Sequence, residues 1–383
     1  MKQKTSIVFT GDIGFDRYMD KKWEDENLFS QGVLDFFHSA DHVCLNVEGA
    51  VTDTNEFAGE FVHSMSAQVV KPFRKLNADI WSIGNNHIMD AGEKGVASTM
   101  EIAQKEGSRT FGAGRNLAEA SAPVYIDEAG GIGIIGLSYV VGCVPATETA
   151  PGTLCWDDLE TIRKRIDEIK AKCRWCVVAV HGGEEFAAMP LPYVRDKYIN
   201  YLAMGADVVV GHHPHVPENY ELFPGGKKIF YSLGNFIFDT NYQRAHIYTD
   251  TGILLKLIFT EEAVDFEATG IQIIRGEERI ALAPLPDILV SIPAEEYALL
   301  APLNAKAFLE EDKRTMRYLE PEQYLNCTEE DWVQYFTQHV SDYYSPNGHM
   351  DYGVIYPLSL KAADGTWQQS RLEKVKEHLL KQL

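Results

Sequence analysis

Five short apolar runs each lead directly into a cluster of metal-ligand side chains, and this repeated juxtaposition restricts the fold more than any other feature of the 383-residue chain. The runs are Ser6 to Thr10, Val43 to Val47, Ile80 to Ile83, Cys176 to Val180 and Asp207 to Val210, with the length and β-branched content of buried strands. Among them, Gln68 to Leu76, Gly92 to Glu106, Asp157 to Cys173 and Leu191 to Met204 carry the apolar spacing of amphipathic helices packed on a sheet. An α/β sheet gathers its site just past its strand ends, where side chains leave the ladder and converge. The expected fold class is therefore α/β, with distant segments meeting at one sheet edge.

Later segments change character. Val124 to Ile126, Gly133 to Leu137, Lys228 to Ser232, Gly252 to Phe259 and Thr269 to Arg275 follow one another through Gly-rich or acidic turns, which predicts antiparallel or mixed pairings. Strands serving two sheets with helices outside point to an α/β sandwich. After about residue 284, Pro284, Pro286 and Pro293 precede a Glu- and Lys-rich region with helical patterning at Ala294 to Glu311, Glu329 to Tyr343 and Gln369 to Leu383. The expected division is a main domain at 1–283 and a helical extension at 284–383. The extension's Tyr335, Phe336, Tyr343 and Tyr344 suit either a cover over the site or a subunit contact.

A formal charge of -21 argues against nucleic acid and anionic membrane surfaces, since phosphate backbones call for clustered Lys and Arg. An anionic substrate, small or polymeric, would need a local positive centre, which bound divalent cations supply. No stretch reaches the ~18 continuous apolar residues of a membrane helix, so no transmembrane segment is expected. The first residues lack the apolar region and cleavage site of an export signal, so a cytoplasmic location is expected. Six scattered cysteines fit reduced thiols, and Cys173 and Cys176 read as ordinary thiols flanking a strand. Nothing in the pattern fixes an oligomeric state.

The ligand clusters are specific in their chemistry. Asp12 lies in Thr10-Gly11-Asp12-Ile13-Gly14, where glycines let the chain turn beside a carboxylate. Glu48 closes the second run, and a carboxylate can bridge two cations because each oxygen can bind one. In Gly84-Asn85-Asn86-His87, the Asn86 amide oxygen can ligate a metal and His87 can donate a proton, while Asn also suits a plain helix-capping turn. His181 precedes Glu184 and Glu185, and Gly211-His212-His213-Pro214-His215 places three imidazoles within four residues, with Pro214 bending the chain between two of them.

With these residues in place, the chain resembles the poly-γ-glutamate capsule-synthesis (CapA-type) family of the calcineurin-like metallophosphoesterase superfamily. The resemblance covers most of residues 5–240 and rests on Gly11-Asp12 with Arg17, Asn46 to Glu48, Ser82 to His87 with Asp90 and Gly92, His181 with Glu185, Gly211 to His215, and Ser232-Leu233-Gly234-Asn235-Phe236. It implies a metallophosphoesterase-like four-layer α/β/β/α sandwich. It also implies Asp12 as a first-metal ligand, Glu48 as the bridge, Asn86, His181 and His213 on the second metal, and His215 on the first. His87 would assist the leaving group, His212 would stand outside the ligand set, and Asn235 would line or support the site. Arg17 is a candidate for contacting an anionic group. The chain departs from the pattern at Gly14, where the superfamily carries a histidine, and within the family at Gly182, where an aromatic is common, and Asp16, where Gly is common.

The expected chemistry is hydrolysis supported by two divalent ions (Mn, Fe or Zn), which lower the pKa of a bound water and clamp the reacting oxygens. Glu185 would orient a ligating histidine or a substrate group. The bond is a phosphoester or a γ-glutamyl-type amide, the latter in keeping with a role in capsule polymer synthesis. The alternative is a metal-supported binding or scaffold protein of such a system that has lost turnover.

Overall fold

In the computed structural model, which describes residues 4–53, 62–139, 142–328, 330–332, 334 and 370–381, the Lys4–Ile13 strand sends alternate side chains into different cores. Ile7 and Phe9 enter one apolar cluster and Val8 another, as a period of two dictates. Trp175–His181 behaves in the same way, with Val177 and Ala179 on one side and Cys176, Val178 and Val180 on the other.

Two large mixed sheets result. The eight-stranded one runs Arg279–Ala283, Val264–Ile274, Thr251–Thr260, Lys4–Ile13, His42–Val47, Ile80–Ser82 and Arg109–Phe111, with Asn235–Ile237 also paired to Lys4–Ile13. The six-stranded one runs Tyr220–Leu222, Lys228–Phe230, Val208–His212, Trp175–His181, Ile132–Ser138 and Val124–Ile126. The strands leading to the ligand clusters pair in parallel, and the antiparallel pairings involve the later segments and the Val124–Ile126 hairpin. A shared apolar cluster contains Ile7, Phe9, Leu255 and Leu257 from the first sheet and Val177, Ala179, Val208 and Val210 from the second. Helices Gln31–His38 and Gly92–Lys105 pack with the first sheet, and Leu159–Lys172 and Pro192–Met204 with the second.

Two details differ from the sequence expectation. Asp12 lies inside its strand, not beyond it, because the register slips between Asp12 and Ile13 and the bulge re-aims the carboxylate. Gly11 makes this possible, since a Cβ there would stand 2.0 Å from the Gly234 carbonyl oxygen. The helix expected at Ala294 to Glu311 continues to Leu319. The helix expected at Glu329 to Tyr343 and its aromatic residues fall largely outside the described residues.

The Ala294–Leu319 helix buries Ala305, Phe308 and Leu309 in the second sheet's helical layer. It also joins Ala188, Met189, Ile288 and Ile292, with Val375 and Leu379 of the Ser370–Leu380 helix, in a separate apolar cluster. All six cysteines are free thiols. Among the described residues no helix is long and apolar enough to cross a membrane.

Candidate metal centre

Glu48 follows the His42–Val47 strand, and its backbone N–H is held by the Ile13 carbonyl. Its side chain is completely buried, with Oε1 3.6 Å from His181 Nε2, 3.6 Å from His215 Nε2 and 4.0 Å from His87 Nε2. Three overlapping groups of donor atoms have metal-binding spacing: Asp12, Glu48 and His215; Glu48, His181 and His213; and Glu185, His213 and His215. Glu48 belongs to two of them. The structure thus brings together Asp12, Glu48, His181, His213 and His215 from four separate segments, and adds Glu185 as a donor in its own right.

The local backbone explains how His213 and His215 reach one site. Both adopt positive φ (96° and 58°) on either side of Pro214, a conformation that non-glycine residues adopt only when the surroundings impose it. Asp12 Oδ2 lies 3.3 Å from the His213 N–H and 3.1 Å from His215 Nδ1, so the bulged strand holds the histidine loop from below.

Donor chemistry fits cations at this position. Both carboxylate oxygens of Glu48, Nε2 of His181, Nδ1 of His213 and Oδ1 of Asn86 are buried and make no hydrogen bond. Buried polar atoms left this way are costly unless something occupies the space between them. In the protein alone the charges compensate in part. Burial works against the imidazolium of His215, but Glu48 and the hydrogen-bonded Asp12 push its pKa up to about 10. Burial likewise opposes ionised Glu48, yet His215 and His181 hold it well below the usual carboxylate range. Burial and neighbouring histidines keep His213 neutral, the form that ligates metals.

Supporting residues surround this cluster. Asn46 Nδ2 donates to Asp12 Oδ1 at 2.6 Å. Asn85 accepts from the Gly49 and His87 N–H groups and donates to the Val47 carbonyl, clipping the Glu48 turn to the Asn86–His87 turn. Asn235 is fully buried. Its oxygen lies 2.9 Å from His215 Nδ1 and its Nδ2 donates to Gln243 and Thr249, so it supports His215 and does not face the cleft. His212 turns away and places Nε2 3.0 Å from the Thr10 carbonyl, and burial lowers its pKa to about 4.

His87 Nδ1 lies 2.8 Å from Asp90 Oδ2, and the same carboxylate oxygen accepts the His63 N–H. The His63 ring stands edge-on to His87 at 4.4 Å, with its Nδ1 2.6 Å from Asp16 Oδ2. His63 carried no sequence signal, whereas Asp16 had stood out only as a departure. The other two departures also have physical counterparts. A Cβ at Gly14 would lie 2.7 Å from the Phe238 ring, and one at Gly182 would meet Tyr139 and Trp156 at 2.9 and 3.0 Å. Aromatic groups from elsewhere fill both spaces.

In front of the centre lies a cleft of about 840 Å³, reached by His87, His215, Glu185 and His63 and flanked by Arg17. Arg17 has φ 49°, and its guanidinium has no hydrogen-bond or ion-pair partner among the described residues.

Comparison with known proteins identifies relatives of the chain. The chain is 32% identical over 276 residues to the PGA biosynthesis protein CapA of Bacillus subtilis (strain 168), covering 70% of this chain and 71% of that one. It is 30% identical over 257 residues to the capsule biosynthesis protein CapA of Bacillus anthracis, covering 63% and 62%. A probable polyglutamine synthesis accessory protein of Mycobacterium tuberculosis (strain CDC 1551 / Oshkosh) is 26% identical over 219 residues, covering 53% and 57%. The family model described as bacterial capsule synthesis protein PGA_cap matches residues 6–240, well over half of the chain and every ligand segment described above, and the protein belongs to that family.

Proposed function

We propose that the protein is a metal-dependent hydrolase built on the four-layer α/β/β/α metallophosphoesterase sandwich, acting on a phosphoester or a γ-glutamyl-type amide in capsule or poly-γ-glutamate synthesis. The observation that carries this reading is the buried Glu48 carboxylate, whose two oxygens have no hydrogen-bond partner while three imidazoles face it. Asp12, Glu48 and His215 would hold one divalent ion, and Glu48, His181, His213 and Asn86 a second, with Mn, Fe or Zn suited to the mixed donor set. When bound, such ions supply Lewis acidity and a lowered pKa for a coordinated water.

The chain's own residues do the rest. His87, oriented by Asp90, presents Nε2 toward the cleft, where it can deliver a proton to a leaving group. Asn235 fixes the His215 ring, and Asn46 fixes Asp12. Arg17 binds an anionic group of the substrate, and Glu185 orients His213 and His215 or ligates directly. Residues 1–283 form the catalytic unit, and 284–383 an extension of it.

A second reading, an accessory protein without turnover, draws on Gly14 and on the accessory role in the name of the mycobacterial relative. Metal content by mass spectrometry on chelator-free protein and on His213→Ala, with hydrolysis of a phosphodiester, a phosphomonoester and γ-glutamyl amides on the same samples, separates the two. Near two equivalents, lost in the variant together with one activity, supports the hydrolase. Metal retained with no activity on any of the three supports the accessory reading.

A further inference from the structure

Resting on that hydrolase reading, we propose that the cleft is built for a substrate with one negative charge and an extended apolar or aromatic body, and that the Ala294–Leu319 helix supplies the wall that recognises this body. The lining divides by chemistry. Arg17 offers a cation without a partner among the described residues. The same cleft is lined by the aromatic Tyr18 and Tyr242 and by Met316 and Leu319 from the last turn of the helix, with Glu320 next in the chain.

These walls are already fixed. Tyr18 donates to Asn241 Oδ1 at 2.6 Å and lies under the Arg244 guanidinium, which is itself committed to Asp239 and Glu278. Tyr242 packs edge-on against Phe186 at 5.3 Å. Aromatic surfaces held in this way bind flat apolar groups without an ordering cost. At about 840 Å³ the cleft has the size of a site for a whole small molecule and exceeds what a bare anion needs.

Charge restricts the ligand further. Arg17 is the one lining cation without a partner among the described residues, since the three lining histidines are engaged, His63 with Asp16, His87 with Asp90 and His215 with Asp12. Glu185 and Glu320 line the same space. A polyanion laid along it would set its second and third charges against these carboxylates, in a chain whose formal charge is -21.

The test is calorimetric binding to the Mn-loaded full chain, with metal measured separately, of three probes: diphenyl phosphate, dimethyl phosphate and a linear tetramer of γ-linked glutamate. The first two carry the same charge and differ only in their apolar bodies. Burial of an aromatic group predicts that diphenyl phosphate binds at least about tenfold more tightly than either other probe. Leu319→Asp and Tyr242→Ala should each reduce its advantage over dimethyl phosphate to under about threefold. Both side chains are partly exposed (37% and 41%), so neither variant removes a core residue.

The proposal is overturned if the tetramer binds more tightly than diphenyl phosphate, if the advantage survives both variants, or if none of the probes binds. Turnover is not read in this experiment, so absence of hydrolysis counts against the hydrolase reading alone.

Discussion

The amide oxygen of Asn235 stands 2.9 Å from Nδ1 of His215, while the Asn235 Nδ2 donates to Gln243 and to the Thr249 carbonyl. Because both Nδ2 protons are used, the amide is fixed with its oxygen toward the ring, and in neutral His215 that acceptor selects the tautomer in which Nδ1 carries the proton and Nε2 is free toward Glu48. Asn235→Ala removes that selection and leaves Gln243 and Thr249 with unpaired groups. The expected result is a loss of metal affinity of about 10- to 100-fold with the fold retained, read by titrating metal-free protein with Mn. Unchanged affinity would remove Asn235 from the centre.

Glu48 is the residue whose unpartnered oxygens a bound cation would relieve. Buried charges and unpartnered oxygens destabilise the folded chain, and a ligand that binds only the folded state stabilises it by about 2.7 kcal/mol at one hundred times its Kd. Addition of Mn to chelator-treated protein should therefore raise the melting temperature by several degrees, and Glu48→Ala should abolish the rise. Differential scanning calorimetry checks both, and an equal rise in the variant would place the binding elsewhere.

Asp90 receives both His87 Nδ1 and the His63 N–H, so one carboxylate sets the attitude of two histidines at the cleft mouth. His87→Ala removes the proton donor and should lower kcat by about 10²- to 10⁴-fold with metal content unchanged. Asp90→Asn keeps the imidazole but weakens its orientation, and should fall between that variant and the parent. A variant in which metal is lost along with kcat would make His87 a structural residue.

The legible part of this site was the part set by strand ends. Glu48, His181, His213 and His215 each follow an apolar run of unmistakable period, so the segments could be read as converging before their partners were known. Asn46 and Asn85 could not be assigned their tasks, because a polar residue beside a ligand looks the same whether it holds the ligand or meets solvent. The Asp16–His63 pair spans 47 residues and exists only once the fold brings these two positions together. The last two turns of the Ala294–Leu319 helix were missed for another reason. From Glu310 to Arg314 the residues are all charged, which suggests a solvated end, yet Glu311 and Lys313 are buried through contacts with His246 and Glu310.

Asp312 on that helix supplies a pH test of how the helix is held. Burial first, then the nearby charges of Glu184 and Glu311, raises its pKa from 3.8 to about 7 against a smaller opposing effect of Lys313, and its Oδ2 is buried without a hydrogen bond. The folded state therefore binds a proton that the unfolded chain releases between about pH 4 and pH 7. Stability from this group is full below that window and is lost as pH rises through it, by at most about 4 kcal/mol. Asp312→Asn cannot ionise and keeps the shape of the neutral acid. Relative to the parent it should melt at nearly the same temperature at pH 4 and several degrees higher at pH 8. Taking the difference between the two proteins at each pH cancels every other titrating group, so an offset that is equal at both ends would mean that Asp312 ionises freely and that the helix sits more loosely on the second sheet.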